Sequence, residues 1–174
     1  MAQISKQNKR YREKDTMISD LVGVLNSDLS YGTKYAVLFE ILWIWTEFDG
    51  KYMGCRYWSN EALKQLDSST NVKLIHDHTV PRKIIIDKIF GINSPTENDV
   101  RQIFDKYLNG VIITKDEDKQ LNANGYRQKM PSEFQDRNQS DYDNSWLRYK
   151  KVGIKVVQVQ WEDEKILLTD SVEY

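Results

Sequence analysis

The chain has 174 residues, of which 40% are hydrophobic and 29% charged, and its 25 lysines and arginines nearly balance 26 aspartates and glutamates for a net charge of −1. This composition is too apolar for a disordered chain and too charged for a membrane protein, and the length predicts one domain with one core. A lone cysteine, Cys55, excludes an internal disulfide and a zinc site built from paired cysteines, and we expect it to be a small buried side chain rather than a nucleophile.

Neither a membrane span nor a secretory signal is predicted. The longest apolar stretch, residues 36–45, is interrupted by Glu40 and is shorter than the roughly 18 apolar residues that cross a bilayer. Residues 1–20 carry charges where a signal peptide has an apolar core of about 7–15 residues. We therefore expect a protein that stays in the cytoplasm.

The N-terminal part of the chain predicts helices. Apolar residues recur at helical spacing over 17–26, and Thr33 can cap a second helix that runs to about Phe48. The second helix is apolar almost all round, which predicts that it is buried in the core. A third, shorter helix is predicted over 60–66, and we interpret Trp58 just before it as a core residue.

Strands and helices alternate in the middle of the chain. The predicted elements, in order, are a strand over 72–75, a helix over 84–90, a helix over 96–108, a strand over 111–113 and a helix over 115–122. Thr114 and Glu117 form a capping box, which marks the start of the last of these helices.

The C-terminal part predicts a loop and a hairpin. Residues 126–144 are polar and indicate a long surface loop. The segments 154–161 and 166–169 predict a terminal β-hairpin, in which Val156-Val157 breaks the alternation as a β-bulge would.

Positive charge is concentrated in two places. An N-terminal arm, residues 1–16, and a segment near the C-terminus hold the clusters, which comprise Lys6, Lys9, Arg10, Arg12 and Lys14, and Arg148, Lys150, Lys151 and Lys155. Such clusters neutralise phosphates, although most basic runs are only solvated surface. In the second cluster, Arg148 and Tyr149 either hold a phosphate and stack on a base, or, as we favour, Tyr149 packs on the core and Arg148 is exposed.

The only two histidines of the chain lie two residues apart, in His76-Asp77-His78. Side chains at i and i+2 of a strand share a face, so the imidazoles would point together and Asp77 away from them. Imidazole serves as a general base or a metal ligand, and aspartate is a hard oxygen ligand for Mg²⁺ or Mn²⁺. An equally weighted interpretation is a pair of partly buried imidazoles that hydrogen-bond a neighbouring turn.

Residues 75–81, Ile-His-Asp-His-Thr-Val-Pro, resemble the first element of the HNH (ββα-metal) nucleases, whose first strand ends in Asp-His-hydrophobic-x-Pro. In that family a second strand and a helix complete the site, and residues 110–114 followed by 114–122 supply both. With the other predicted elements, the resemblance gives an α+β fold in which N-terminal helices pack beside a ββα element at 72–122 and a β-hairpin ends the chain.

The resemblance also implies roles for particular residues. His78 would be the general base that activates water, and Asp77, Asp118 and Asn122 would hold Mg²⁺ or Mn²⁺, which polarises the scissile phosphate. His76 and Glu117 are secondary candidates for the same site. The residues expected to contact DNA are Arg10, Arg12, Arg148, Lys150 and Lys151.

The sequence thus predicts a metal-dependent DNA endonuclease, of a kind found in restriction and phage defence. The alternative is a non-catalytic module of phage or bacterial defence origin that binds nucleic acid or a protein, for example as an inhibitor of a nuclease. Both interpretations are compatible with a homodimer. Motifs of serine hydrolases, NTPases and dinucleotide-dependent enzymes do not occur in the sequence.

Overall fold

The computed structural model of the chain describes residues 13–68, 73–162 and 165–174. Its α-helices are α1 (Lys14–Asn26), α2 (Tyr31–Thr46), α3 (Asn60–Ser68), α4 (Arg82–Phe90), α5 (Glu97–Tyr107), α6 (Lys115–Ala123) and α7 (Leu147–Val152). Its strands are β1 (Tyr57–Ser59), β2 (Ile75–His78), β3 (Gly110–Ile113), β4 (Val156–Glu162) and β5 (Lys165–Ser171). Helices that pack beside one mixed sheet make this an α+β fold, as the sequence predicts.

The five strands form one sheet in the order β2-β3-β1-β4-β5. β1 and β3 pair in parallel, and the other neighbours pair antiparallel. β2 therefore lies at an edge, with His76 opposite Ile112 and His78 opposite Gly110 of β3. This register puts both histidines on the outermost strand of the sheet.

The largest apolar core lies among α1, α2, α4 and α5, and α2 contributes most to it. The buried side chains of α2 include Leu38, Ile41 and Leu42, which agrees with the predicted core helix. A smaller cluster around Trp58 packs with Ile112 of β3, and another packs Tyr149 with neighbouring residues of β3. Trp58 is fully buried, as the sequence predicts.

Side-chain caps define where several helices begin. The Thr114–Glu117 capping box is present, and a second box joins Thr96 and Asp99 at the start of α5. At the start of α2 the capping residue is Ser30, whose hydroxyl accepts from the backbone N–H of Thr33, so α2 begins three residues before the predicted point.

Three details of the sheet differ from the sequence prediction. The strand predicted over 72–75 forms at 75–78, because pairing with Ile113 sets the start of β2 at Ile75; Val72 lies outside the described residues. β1 was not predicted, since three residues are too short for a periodic pattern. The hairpin β4–β5 forms, but its irregularity lies between Gln158 and Val159 rather than at Val156-Val157.

Residues 126–144 form the predicted surface loop, with a short 3₁₀ turn over 132–134 that buries Phe134. Residues 1–12 of the basic arm, with Arg10 and Arg12, lie outside the described residues. Residues 14–16 of that arm belong to α1, and the Lys14 ammonium lies 4.7 Å from the ring centre of Trp45. Within the described part of the chain, every helix is too short or too polar to cross a membrane.

Candidate functional site

A cleft of about 370 Å³ opens beside the edge strand β2, between α2, α4 and α6. Its lining includes these residues from the sequence prediction: His76, Asp77, His78, Asp118, Asn122 and Arg148. Aromatic and cationic side chains complete it, among them Tyr35, Phe39, Trp43, Arg82, Lys83 and Arg127. The fold therefore brings the candidate base and the candidate metal ligands of β2 and α6 to one cavity.

His76 is held by a carboxylate. Its side chain is fully buried, its ring centre lies 4.6 Å from that of Trp43, and Nδ1 lies 2.8 Å from Glu47 Oε1. A carboxylate only accepts, so Nδ1 carries the hydrogen. Nε2 is buried without a hydrogen-bond partner among the described residues and faces Gly110, where an added Cβ would lie only 2.5 Å away. Glycine at 110 therefore makes room for this imidazole.

His78 is a neutral imidazole. The residue is 4% exposed, and Nε2 lies 3.1 Å from the hydroxyl of Thr46 on α2. Burial, followed by electrostatic interactions with His76 and Arg82, holds the pKa of His78 well below its ordinary value. The two imidazoles share one face of β2, as the strand periodicity predicts, with ring centres 4.9 Å apart.

Asp77 points to the opposite face of β2, where α7 packs. Its Oδ2 accepts from Arg148 Nη2 at 2.7 Å and from the Tyr149 hydroxyl at 2.8 Å. Burial and the Asp77 charge raise the pKa of Tyr149 well above its ordinary value, so this phenol stays a donor. The carboxylate is about one-quarter exposed and so reaches the cleft.

Arg148 is buried, in contrast to the exposed position that we favoured from the sequence. Its side chain is 1% exposed, and Nε donates to the Thr79 carbonyl at 2.9 Å. The two Nη atoms donate to the carbonyls of Tyr126 and His78 and to Asp77. Because its donors are used inside the fold, Arg148 ties the end of β2 to the 126–144 loop and is not free to contact a phosphate. Tyr149 is buried, as favoured.

The neighbouring lysines are exposed but paired. Lys150 Nζ lies 2.6 Å from Asp141, and Lys151 Nζ lies 2.5 Å from Glu133. Both carboxylates belong to the 126–144 loop, so the positive charge that the sequence shows near residue 150 is largely balanced locally. Exposed pairs of this kind exchange readily with solvent and with other anions.

On α6 the candidate ligands lie one turn apart. Asn122 Nδ2 donates to Asp118 Oδ2 at 3.1 Å, and both residues line the cleft. Glu117, a secondary candidate, is used elsewhere: Oε2 accepts from the Ser59 hydroxyl at 2.6 Å and from the Thr114 backbone N–H at 2.8 Å. Its carboxylate therefore joins α6 to β1 and caps the helix.

The donor set decides which metal this cleft suits. Asp77 and Asp118 offer carboxylate oxygens and Asn122 a carboxamide, and no group of three or more His, Cys, Asp or Glu in the described part of the chain is arranged to hold a metal ion. Mg²⁺ commonly binds through one or two carboxylates together with water and substrate phosphates. Asp77, Asp118 and Asn122 thus offer donor types that Mg²⁺ and Mn²⁺ accept, but they do not form a cage for a permanently bound ion.

Sequence reasoning missed Arg82, the first residue of α4. Its guanidinium lies 3.8 Å from the ring centre of Phe39 and 4.9 Å from that of Trp43, on the wall of the cleft. The available signals were the i, i+4 spacing of the two aromatic residues on α2 and an arginine directly after Pro81. Neither signal reveals that α2 and α4 lie side by side.

Comparison with protein-family models, curated proteins and solved structures finds no match for the chain. The fold and the cleft define an α+β protein with a polar cavity at a sheet edge.

Proposed function

We propose that this protein is a metal-dependent DNA endonuclease of the HNH-like, ββα-metal type, with its active site in the edge cleft. One observation carries the proposal: β2 and β3 pair antiparallel, α6 follows β3 directly, and Asp77, His78, Asp118 and Asn122 line one cavity. Cationic side chains on the same walls suit a polyanionic substrate.

His78 acts in this proposal as the group that takes a proton from water. A neutral imidazole has a free ring nitrogen, and burial keeps His78 neutral. The negative charge of a bound phosphate raises the pKa of an imidazole beside it, which brings His78 closer to the range of an effective base. The Thr46 hydroxyl, 3.1 Å from Nε2, fixes the orientation of the ring.

Asp77, Asp118 and Asn122 are the proposed ligands of the divalent ion. A bound ion supplies charge that polarises the phosphate and stabilises the leaving oxygen. Arg148 and Tyr149 hold Oδ2 of Asp77, so they fix the direction of its carboxylate. Arg82 and Arg127 add positive charge on the cleft wall for the flanking phosphates.

Cleavage of supercoiled plasmid DNA with Mg²⁺ or Mn²⁺, beside an EDTA control, tests the proposal. Wild type is expected to cut, and His78→Ala to lose about 100-fold or more in rate, the effect of removing a general base. Asp118→Asn should lose activity and also weaken Mn²⁺ binding measured by calorimetry. The matched control is Asp116→Asn, an exposed carboxylate of α6 that pairs with Lys119; it should cut like wild type.

A second candidate has its own support. A non-catalytic module that binds nucleic acid is favoured by the state of Asp77 and His78, because Oδ2 already accepts two hydrogen bonds and the imidazole is buried against Thr46. Such a module would bind DNA equally well with and without metal. A folded wild-type protein that binds DNA in EDTA and cuts with no metal would establish this candidate instead of the nuclease.

A further inference from the structure

An aromatic stripe, defined as Tyr31, Tyr35 and Phe39, runs along the outer face of α2. The residues are four apart, so they lie one turn above another on a helix. Ring centres are 6.1 Å apart between Tyr31 and Tyr35 and again between Tyr35 and Phe39. Tyr31 is 63% and Phe39 37% exposed, although the opposite face of the same helix supplies the core.

The stripe leads into the cleft. Tyr35 and Phe39 line the cavity, and one turn further along α2 Trp43 covers the two histidines, with ring centres 4.6 and 5.6 Å from theirs. A ligand that lies along α2 therefore reaches the proposed active site without leaving the aromatic surface.

Arg82 lies where the stripe meets the cleft. Its guanidinium is stacked on Phe39 and Trp43, and it makes no hydrogen bond or ion pair within residues 13–68, 73–162 and 165–174. The carboxylates that interact electrostatically with the guanidinium are those of Glu40 and Asp77. The next residue, Lys83, also lines the cleft and pairs with Asp87 at 2.8 Å. The unused N–H donors of Arg82, which lies against the two rings, suit a phosphate.

We propose that the aromatic stripe and Arg82 bind single-stranded nucleic acid and guide it into the cleft, with bases on the Tyr31 and Tyr35 rings and a phosphate on Arg82. Aromatic platforms beside a cationic groove are the general means of binding unpaired strands. In a duplex the base faces are stacked on each other, so rings on a helix surface gain nothing from them. The inference deepens the proposed function, because it names an unpaired strand as the substrate of that same cleft.

Binding of short labelled oligonucleotides, measured by fluorescence anisotropy in EDTA, tests the inference without cleavage. Wild type is expected to bind the single strand more tightly than the duplex. Tyr35→Ala should weaken single-strand binding by about fivefold or more, and Tyr35→Phe should retain it, because stacking needs the ring and not the hydroxyl. Tyr31→Ala, at a largely exposed residue that threatens folding little, should also weaken it.

Arg82→Gln should weaken single-strand binding and lower the slope of log affinity against log salt by about 0.7, the share of one phosphate contact. The Arg82→Lys variant should keep most of the wild-type dependence of affinity on salt, because the lysine retains the positive charge. The matched control is Arg56→Gln, since Arg56 also lies beside an aromatic ring, 5.8 Å from the centre of Tyr57, but is exposed and away from the cleft. It should bind like wild type.

The outcomes separate this inference from the proposed function. If single-strand binding depends on Tyr35 and Arg82 while wild type cuts no DNA, the strand-binding surface stands and the nuclease does not. If wild type cuts DNA but the stripe and Arg82 variants bind as wild type does, the nuclease stands and the inference is overturned. Equal losses for duplex and single strand, or no binding of either, also overturn it.

Discussion

The helical core and the edge cleft hold the protein together by opposite means. Between α1, α2, α4 and α5 the contacts are apolar, and side chains such as Leu42 are fully buried without a polar atom. At the cleft, Arg148, Asp77 and Tyr149 bury charges and hydroxyls that satisfy one another. An apolar core tolerates substitutions that keep its volume, whereas a buried polar network depends on every member. Single substitutions should therefore destabilise the protein more at the cleft than in the helical core.

The largest expected effect is at Arg148. Arg148→Met leaves Asp77 without its cationic partner and removes the side-chain donor to the carbonyls of His78, Thr79 and Tyr126, and should lower the free energy of unfolding by about 3–5 kcal/mol. Urea denaturation measures the change. Leu42→Met, a volume-conserving substitution in the apolar core, should cost less than about 1.5 kcal/mol. Equal losses in the two variants would remove the contrast between the regions.

Gly110→Ala tests the packing around His76. An alanine Cβ would lie 2.5 Å from His76 Nε2 and 2.9 Å from Thr46 Cβ, so β3 or the imidazole must shift. We expect a loss of about 1–3 kcal/mol in urea denaturation, typical of overpacking. Gly23→Ala, at an exposed helical position with no atom near its added Cβ, is the control and should be neutral or stabilising. An unchanged free energy of unfolding in Gly110→Ala would show that the imidazole of His76 can shift without cost.

His78 makes the stability of the cleft depend on pH. Its pKa is lowered by burial in the folded state, so below about pH 6.5 the unfolded chain binds a proton that the folded protein does not. Stability therefore falls as pH falls, and this histidine should contribute a loss of about 1 kcal/mol between pH 7 and pH 5.5. Urea denaturation at pH 7 and 5.5, compared between wild type and His78→Gln, isolates the contribution. The same pH dependence in both proteins would contradict a buried neutral His78.

The smallest effect is expected at the surface. Lys151 and Glu133 form a close pair that is open to water, whereas in the Arg148–Asp77 pair the arginine side chain is only 1% exposed. Lys151→Gln should leave the midpoint of thermal unfolding unchanged within error, because exposed pairs contribute little. A clear drop in that midpoint would mean that the 126–144 loop is held by its surface charges.

Much of the fold could be predicted from the sequence, because local signals are strong in this chain. Helical periodicity and the Thr114–Glu117 capping box give helices α1 to α6 within a few residues, and turn residues define the polar loop and the terminal hairpin; the short helix α7 was not predicted. What escaped prediction depends on pairing between distant segments. β1 is three residues long, and only its neighbours β3 and β4 make it a strand.

The sequence named candidate site residues but did not reveal their surroundings. Asp77 stood out by its residue type between two histidines, and the resemblance to HNH nucleases added Asp118 and Asn122; all three line one cleft. Burial of Arg148 was not predictable, since a basic residue beside two lysines looks like surface until the carbonyls around it are known. The role of Arg82 likewise depends on how α2 and α4 meet.

The order of the strands also bears on how the protein folds. Only the paired strands β4 and β5 are close in the chain. Trp58 of β1 pairs with Ile112 on one side and Val157 on the other, and Ile75 of β2 pairs with Ile113, so these partners are all distant in sequence. Contacts between distant segments close large loops and form slowly, so the hairpin can assemble early while the β1–β3–β2 part follows. The cleft needs β2, β3 and α7 together, so we expect it to form after the hairpin.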